Sequence, residues 1–478
     1  MGRHYSRKEF LVASGLGAWA LAQPGRTWAL SQRSSAGYAA FFSEPSLKPP
    51  TVTVTTMANP SPGYLFVASL NGPGQRGPLL LDNHGRVVWF RSIDPLAINF
   101  RAQVYQGKPV LTWWEGTISN AGVGEGEGVI VDETYTEVTR VQAGNGFRAD
   151  VHEFLLTPAG TALLTAFNPV TADLSAVGGP AAGTALDSIV QEVDVETGSV
   201  LFEWHSLDHV PITDTYAPLH DPFDYFHVNS IDVDLDGNLL VSARNTSAIY
   251  KLDRHTGQVL WRLGGRSSDF QLDAEATFMY QHDARGHSDG TVTVFDDGPS
   301  PSSQQARGIR LGLDLGGMRA VLLQQYRHPT PLDVAAMGNV QVLGGNAVMV
   351  GWGTQPYLTE FGPGGEVRLD AKFDGNAWNY RAFKSAWVGH PKQPPAVAAI
   401  RRGSKVTVYA SWNGSTQTAR WQVSAGDVRN ALQPVKTVVA SGFETAVPIA
   451  GHPKFVSVTA LDASRRPLGT SRVVAVRG

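Results

Sequence analysis

The 478-residue sequence contains no cysteine. Disulfide frameworks, thiolate nucleophiles, zinc–cysteine sites and iron–sulfur clusters are therefore excluded together. The sequence also has no Asp-rich calcium loop of the EF-hand kind, and we predict no metal and no cofactor. Any chemistry must come from His, Arg, Tyr, Asp, Glu or Ser side chains.

A dominant charge, long apolar runs and helical periodicity are missing as well. The chain has 39 Lys and Arg against 42 Asp and Glu, a formal charge of -3, which gives no electrostatic reason to expect nucleic acid as a partner. Beyond the N-terminus no segment reaches about 18 uninterrupted apolar residues, so we predict no membrane span. The 51 Gly and 29 Pro are typical of a turn-rich globular body.

The N-terminus has the pattern of an export signal. Basic residues precede an apolar stretch, 10–22, that is too short to span a bilayer and ends in the small-x-small site 20–22. Residues 6–11 are similar to a twin-arginine signal with Lys8 in place of the second Arg, although an ordinary secretory signal is the alternative. We predict a signal peptide over residues 1–30 and a secreted or extracytoplasmic protein.

One pattern recurs six times along the body. Each copy holds a strand, a polar turn with Gly and a second strand that often ends in Trp, as at 79–89, 190–204 and 249–261. About 25 to 35 residues earlier, a Gly leads another β-rich run, as at 63–67 and 237–242. Four short strands per unit predict an all-β fold with a six-bladed β-propeller over residues 45–395.

The composition changes after Pro394 and Pro395. Alternating strands follow at 405–410, 419–423, 435–440 and 455–460. This pattern predicts a small β-sandwich over residues 400–478, similar to a fibronectin type III module. Its expected role is packing or spacing.

Three histidines stand at matching positions of the repeat. His152, His227 and His282 lie 8, 10 and 8 residues before the Gly that leads the next run. Blade periodicity therefore predicts that they meet at one end of a central channel. Together they could act as acid and base, bind an anion, serve as a nucleophile or hold a metal. Alternatively, each one bonds to the backbone of a neighbouring blade.

Other polar groups are expected near the same region. Arg244 and Arg101 could each bind sulfate, phosphate or carboxylate in a fork, or form a structural ion pair. His209 lies in a loop that leads toward the channel, and Arg307 follows Asp296, Asp297 and Gly298 at a predicted rim.

Four strings of residues carry a family resemblance: His227-Val228-Asn229-Ser230-Ile231, Ser242-Ala243-Arg244, Tyr280-Gln281-His282 and Phe295-Asp296-Asp297-Gly298. In this order they resemble the bacterial arylsulfotransferase family, most of all its branch in actinobacteria and filamentous fungi. The resemblance covers roughly residues 42–373. It implies a six-bladed propeller that moves a sulfuryl group between phenols without a nucleotide cofactor, and therefore phenolic and aryl sulfate partners.

The resemblance also implies roles for the matching residues. His282 is the predicted nucleophile or base toward the acceptor phenol, and Arg244 holds the sulfuryl oxygens. His227 and His209 act as acids or bind the anion. The predicted substrate contacts are His152, Arg101, Trp113, Trp114, Trp352, Tyr357 and Arg307. The three tryptophans could equally be core residues that pack between blades.

Two family features are missing. The His that well-studied members sulfate has no counterpart in residues 351–357, where Tyr357 lies nearest to its position. The family Arg after the Phe-Asp-Asn-Gly stretch is absent too, and Arg307 is at best a displaced substitute. These departures leave open whether sulfotransferase activity survives.

Two other classes of function compete with the transferase. A secreted binding propeller without turnover is favoured by the missing nucleophile. A quinoprotein-like oxidoreductase is suggested by the repeats at 194–198 and 253–257 with Trp204 and Trp261, which resemble tryptophan-docking motifs. Six units rather than eight, and the lack of adjacent cysteines, count against the oxidoreductase.

Overall fold

The computed structural model of the protein describes residues 37–119, 122–298 and 305–478. This part of the chain is all-β, which confirms the predicted class, and it contains 34 strands. The short helical segments within it are Ser175–Val177, Ser206–His209, Ile212–Asp214, Ala274–Ala276 and Gly344–Asn346. No helix in the described ranges has the length and apolar character that a membrane span needs. The predicted signal peptide, residues 1–30, lies outside the described residues.

Six antiparallel sheets, here called sheets 1 to 6, follow one another between Val52 and Ser385. We call the strand at one edge of each sheet, which is linked to the next sheet as described below, the inner strand. Starting from the inner strand, the strands of sheet 1 are Phe383–Ser385, Tyr64–Ser69, Gly77–Leu81 and Val87–Phe90, and those of sheet 2 are Leu96–Tyr105, Lys108–Ile118, Gly124–Val131 and Glu137–Val141. Sheet 3 contains Phe154–Leu156, Thr161–Ala172, Gly183–Asp194 and Val200–His205, and sheet 4 contains Val228–Val233, Leu239–Ala243, Ala248–Leu252 and Val259–Gly264. Sheet 5 contains His282–Gly286, Thr291–Asp296, Arg307–Asp314 and Arg319–Tyr326, and sheet 6 contains Asn339–Val342, Val348–Gly351, Tyr357–Phe361 and Val367–Phe373. The strand Gln271–Leu272 adds to sheet 5, and Val52–Met57 adds to the outer edge of sheet 6.

The recurring turn explains why each repeat folds as a hairpin. Gly85 and Gly237 each donate their backbone N–H to the carbonyl oxygen three residues earlier, at Asp82 and Asp234. Their φ angles, 72° and 83°, lie in the left-handed region that glycine adopts most readily. In sheet 2 the same position is Tyr135, whose φ of 62° shows that the turn is kept without glycine.

A side-chain hydrogen bond connects each inner strand, or the residues just before it, to the inner strand of the next sheet. The side-chain links from sheet to sheet are Asn99 to Val151, Glu153 to Ile231, Asn229 to Gln281, Asp283 to Val340, Asn339 to Ala382, and Arg381 to Asn99. The last link returns to sheet 2, so the series is closed. The starts of the inner strands therefore lie near each other although they are far apart in sequence.

Apolar cores hold the sheets together without disulfides. Among the described residues, each neighbouring pair of sheets shares one buried cluster, and sheets 6 and 1 share one as well. Each sheet therefore buries both faces, which is the main source of stability for a fold of this kind.

The C-terminal strands form two further sheets around their own core. They contain Ala396–Arg402, Lys405–Ser411 and Glu444–Ile449, and Gln433–Val439, Arg420–Gly426, Phe455–Leu461, Pro467–Thr470 and Val474–Ala475. Asn413 exchanges two hydrogen bonds with the backbone of Phe90, and the Tyr135 hydroxyl donates to the Gly414 carbonyl. This region is therefore attached to sheets 1 and 2.

Candidate functional site

The structure brings together the three histidines that the repeat predicts. The ring centroids of His152 and His227 are 4.7 Å apart, and the two planes meet at 81°. His282 is close enough to both rings for their charge to affect its pKa. We call these three residues the histidine cluster.

Each ring of the histidine cluster is held by a carboxylate at Nδ1. The pairs are His152 with Asp150 at 2.5 Å, His227 with Asp224, and His282 with Asp297 at 2.6 Å. A carboxylate at Nδ1 keeps the proton on that nitrogen and leaves Nε2 as the reactive acceptor. Asp150 and Asp224 are not among the predicted site residues, and Asp297 was expected at a rim rather than beside His282.

His282 is sealed inside the protein. Its side chain is 2% exposed, and its Nε2 accepts the backbone N–H of Met337 at 3.3 Å. Burial, together with the Arg244 cation, holds the pKa of His282 well below its usual range. The predicted role of His282 as nucleophile or base requires an accessible Nε2, which this arrangement does not provide.

His227 lies on the wall of a cavity of about 820 Å³, here called the histidine cavity. This volume is in the range that small-molecule sites occupy. The φ of His227 is 57°, a left-handed conformation that costs a non-glycine residue on the order of 1 kcal/mol. Asp224 lines the same cavity behind the ring.

Arg244 lines the histidine cavity beside His227. Its guanidinium donates to the side chain of Asn245 at 2.9 Å and to the Ala335 carbonyl at 3.2 Å, and it lies 4.8 Å from the ring centroid of Tyr280. Among the described residues, no carboxylate oxygen lies within 4.0 Å of it. An arginine with neutral partners keeps its charge available for an anion.

The remaining wall of the histidine cavity carries both apolar and polar groups. Tyr280 contributes an aromatic face, and a loop before sheet 4 covers the side. The lining residues of this loop are Ala217, Pro218, His220, Asp221 and Pro222. Among the described residues, the lining therefore offers two imidazoles, two carboxylates, the Arg244 guanidinium and apolar surface to a small molecule.

Arg101 lies elsewhere, in a buried network that we call the ion cluster. Glu153 pairs with Arg101 at 2.8 Å, with Arg285 at 2.5 Å and with Arg381 at 3.2 Å, and Asp283 pairs with Arg285 at 2.7 Å. The three guanidiniums overcome the effect of burial and hold the pKa of Glu153 well below its usual range. Arg101 therefore already has a carboxylate partner.

A second cavity, of about 450 Å³, is lined by Arg101, Arg285 and Asp232. Asp232 lies five residues after His227 along the inner strand of sheet 4. The two cavities therefore lie toward opposite ends of the inner strands. Arg101 does not join the histidine cluster.

The predicted aromatic contacts are buried in the apolar cores. Trp113, Trp114 and Trp352 are 1%, 0% and 1% exposed. Their indole N–H groups donate to Glu115, Ala149 and Thr359. Because their ring faces are covered by neighbouring sheets, none of them lines the histidine cavity.

The other predicted contacts have local partners as well. His209 stacks on Trp204 at 5.1 Å, and Tyr357 lies 4.4 Å from the ring of His328. Arg307 pairs with Asp296 at 2.9 Å. Of the predicted substrate contacts, His152 stands closest to the site, behind His227.

A match to a known family covers these residues. The family model for arylsulfotransferase (ASST) matches residues 101–374, which is more than half of the chain. The chain belongs to the arylsulfotransferase family, as its sequence motifs indicated. His227, Arg244 and His282 lie within the matched segment. A search of curated proteins found no match.

Solved structures are similar at low identity. A protein of unknown function from Bacteroides caccae is 12% identical with a TM-score of 0.41, covering 68% of this chain and 99% of its own. Virginiamycin B lyase from Staphylococcus aureus is 9% identical with a TM-score of 0.31, covering 75% and 94%. A protein from Lactobacillus plantarum is 12% identical with a TM-score of 0.35, covering 81% and 99%. At these scores the likenesses carry no argument about function.

Proposed function

We propose that this protein transfers a sulfuryl group from an aryl sulfate to a phenolic acceptor in the histidine cavity. The observation that carries the proposal is the pairing, on one wall, of a carboxylate-backed imidazole with a guanidinium whose partners, among the described residues, are neutral. The family assignment supports an arylsulfotransferase-like activity in general and favours it over a quinoprotein-like oxidoreductase.

In the proposed reaction, Arg244 holds the sulfuryl oxygens and His227 handles the proton. The S–O bond to the donor phenol breaks and an S–O bond to the acceptor oxygen forms. Nε2 of His227 takes the acceptor's phenolic proton and then donates it to the departing phenolate, so that His227 is regenerated and no net proton is consumed. The transition state is loose, with charge on the sulfuryl oxygens, which a fixed guanidinium stabilises.

The scaffold supports the rest of the proposal. We propose that sheets 1 to 6 are the blades of a six-bladed propeller over residues 45–395, because their links and shared cores form a closed series. We also propose that residues 400–478 form a β-sandwich and that the protein is exported through a twin-arginine-like signal at residues 1–30.

The test replaces His227 with Gln and Arg244 with Lys. Each variant is incubated with a chromogenic aryl sulfate and phenol, and both phenol release and the new sulfate ester are measured. We expect kcat/KM to fall roughly 100-fold or more in both variants, because each substitution removes a side chain that stabilises the transition state. His328→Gln is the matched control, since His328 is equally buried and paired with Asp370 but does not line the cavity. Wild-type-like turnover in either site variant would overturn the assignment.

A binding protein without turnover is the second candidate. Trp352 is buried, and the Tyr357 ring packs at a tilt of 48° against the ring of His328. Residues 351–357 contain no His in place of the one that the family uses. A protein of this class would bind the aryl sulfate, release no phenol and gain no mass on exposure to it.

A further inference from the structure

His152 is a buried titratable group that the proposed reaction does not use. Its side chain is 4% exposed, and its ring meets that of His227 edge to face at a centroid separation of 4.7 Å. Phe167 packs against both rings, at 5.9 Å and 5.8 Å. The two imidazoles therefore share one poorly hydrated space.

The carboxylate behind His152 is unusually well bonded. Asp150 accepts the backbone N–H groups of Gly124 and His152, the Thr165 hydroxyl and the His152 Nδ1. These bonds fix the His152 ring and its tautomer. The ring therefore stays beside His227 with its Nε2 able to accept a proton.

Charged and polar groups from several elements face this pair. Asp224 comes from the loop before sheet 4, His282 from sheet 5 and Tyr380 from the residues before the inner strand of sheet 1. Asp224 Oδ1 and the Tyr380 hydroxyl are buried without a hydrogen-bond partner among the described residues. Buried polar atoms of this kind are usually satisfied by ordered water, which would provide a route for a proton between the rings.

We propose that His152 and His227 form a coupled pair that takes up no more than one proton, so that each ring opposes protonation of the other. One protonated ring beside one neutral ring is favourable in an edge-to-face contact, whereas two protonated rings at this distance repel each other. Burial and the neighbouring His227 also lower the pKa of His152. His152 is thus a positioning residue that acts through His227.

The pairing is tested without reference to turnover. The Cε1–H signals of His152 and His227 are followed by NMR against pH in the wild type and in His227→Asn. Because the two titrations are coupled, removing His227 should raise the pKa of His152 by roughly 2 units. His328→Asn is the control and should leave the pKa of His152 unchanged. An unchanged His152 titration in His227→Asn overturns the pair, whether or not the protein transfers sulfate.

The catalytic consequence rests on the proposed function. In His152→Asn, whose amide can still donate to Asp150, no second imidazole opposes protonation of His227. We therefore expect the acidic limb of the kcat/KM profile to move to higher pH by roughly 1 unit. If the wild type shows no transfer at all, the proposed function fails and the NMR titration still decides the pair. An acidic limb that does not move overturns the catalytic role of His152.

Discussion

The histidine cavity and the ion cluster are built on the same inner strands, but they differ in whether their arginines are paired with carboxylates. In the ion cluster, each of the three arginines is paired with Glu153, and Asp283 pairs with two of them. In the histidine cavity, the partners that the described residues give Arg244 are neutral, and His227 lines the open space. The first arrangement holds sheets together, and the second leaves charge available for a ligand.

The largest expected effect comes from breaking the ion cluster. Glu153→Gln leaves the buried Arg101 without a carboxylate partner and leaves Arg285 and Arg381 to share Asp283. It should lower the free energy of unfolding by roughly 3–5 kcal/mol. Urea denaturation measures this change. Glu366→Gln, at an exposed ion pair with Arg368, is the control and should leave stability unchanged. Equal stability of the two variants would show that Glu153 does not hold the sheets together.

The next largest effect is expected in the histidine cavity, on kcat/KM. Asp224→Asn keeps an acceptor for Nδ1 of His227 but removes the negative charge behind the ring, so kcat/KM should fall roughly 100-fold with little change in stability. Steady-state assays and thermal melts measure the two quantities. Asp370→Asn, which alters the carboxylate of His328, serves as the control. A loss of stability with unchanged kcat/KM would contradict the assignment.

The smallest effect is expected beside the ion cluster, at Asp232, which lies 3.9 Å from Arg285. Burial and repulsion from Glu153 and Asp283 raise its pKa to about 6, despite the attraction of Arg285. Because the folded pKa lies above the unfolded one, the contribution to stability is full below about pH 4 and is lost as the pH rises through 6. Asp232→Asn should therefore stabilise the protein by roughly 2 kcal/mol at pH 8 and little at pH 4.5. Urea titrations at both pH values measure the difference, and an equal effect at the two would refute it.

The repeat predicted much of the fold because its turns and strands are local. All six Gly-led runs appear as the second strands of sheets 1 to 6. The inner strand of sheet 1, Phe383–Ser385, was missed because three residues carry too short a pattern. Its place depends on pairing with Tyr64–Ser69, more than 300 positions earlier.

The candidate site was predicted less completely. Periodicity brought the three histidines together, yet it did not distinguish Arg244 from Arg101, since both lie near inner strands and only their partners differ. For the tryptophans the sequence left two positions open, because aromatic residues suit both a core and a binding face, and the structure places them in the cores. Asp224 had a local signal, since it stands three residues before His227.

The first and last sheets are completed by segments that are distant in sequence: Val52–Met57 pairs with the outer edge of sheet 6, and Phe383–Ser385 is the inner strand of sheet 1. During synthesis on the ribosome, the first sheet must wait for residue 385 to emerge before its inner strand exists. A nascent chain that stops earlier would lack Arg381, which bonds to Asn99 and Glu153. The closed series of links between sheets 1 to 6 can therefore be completed only after residue 385 has been made.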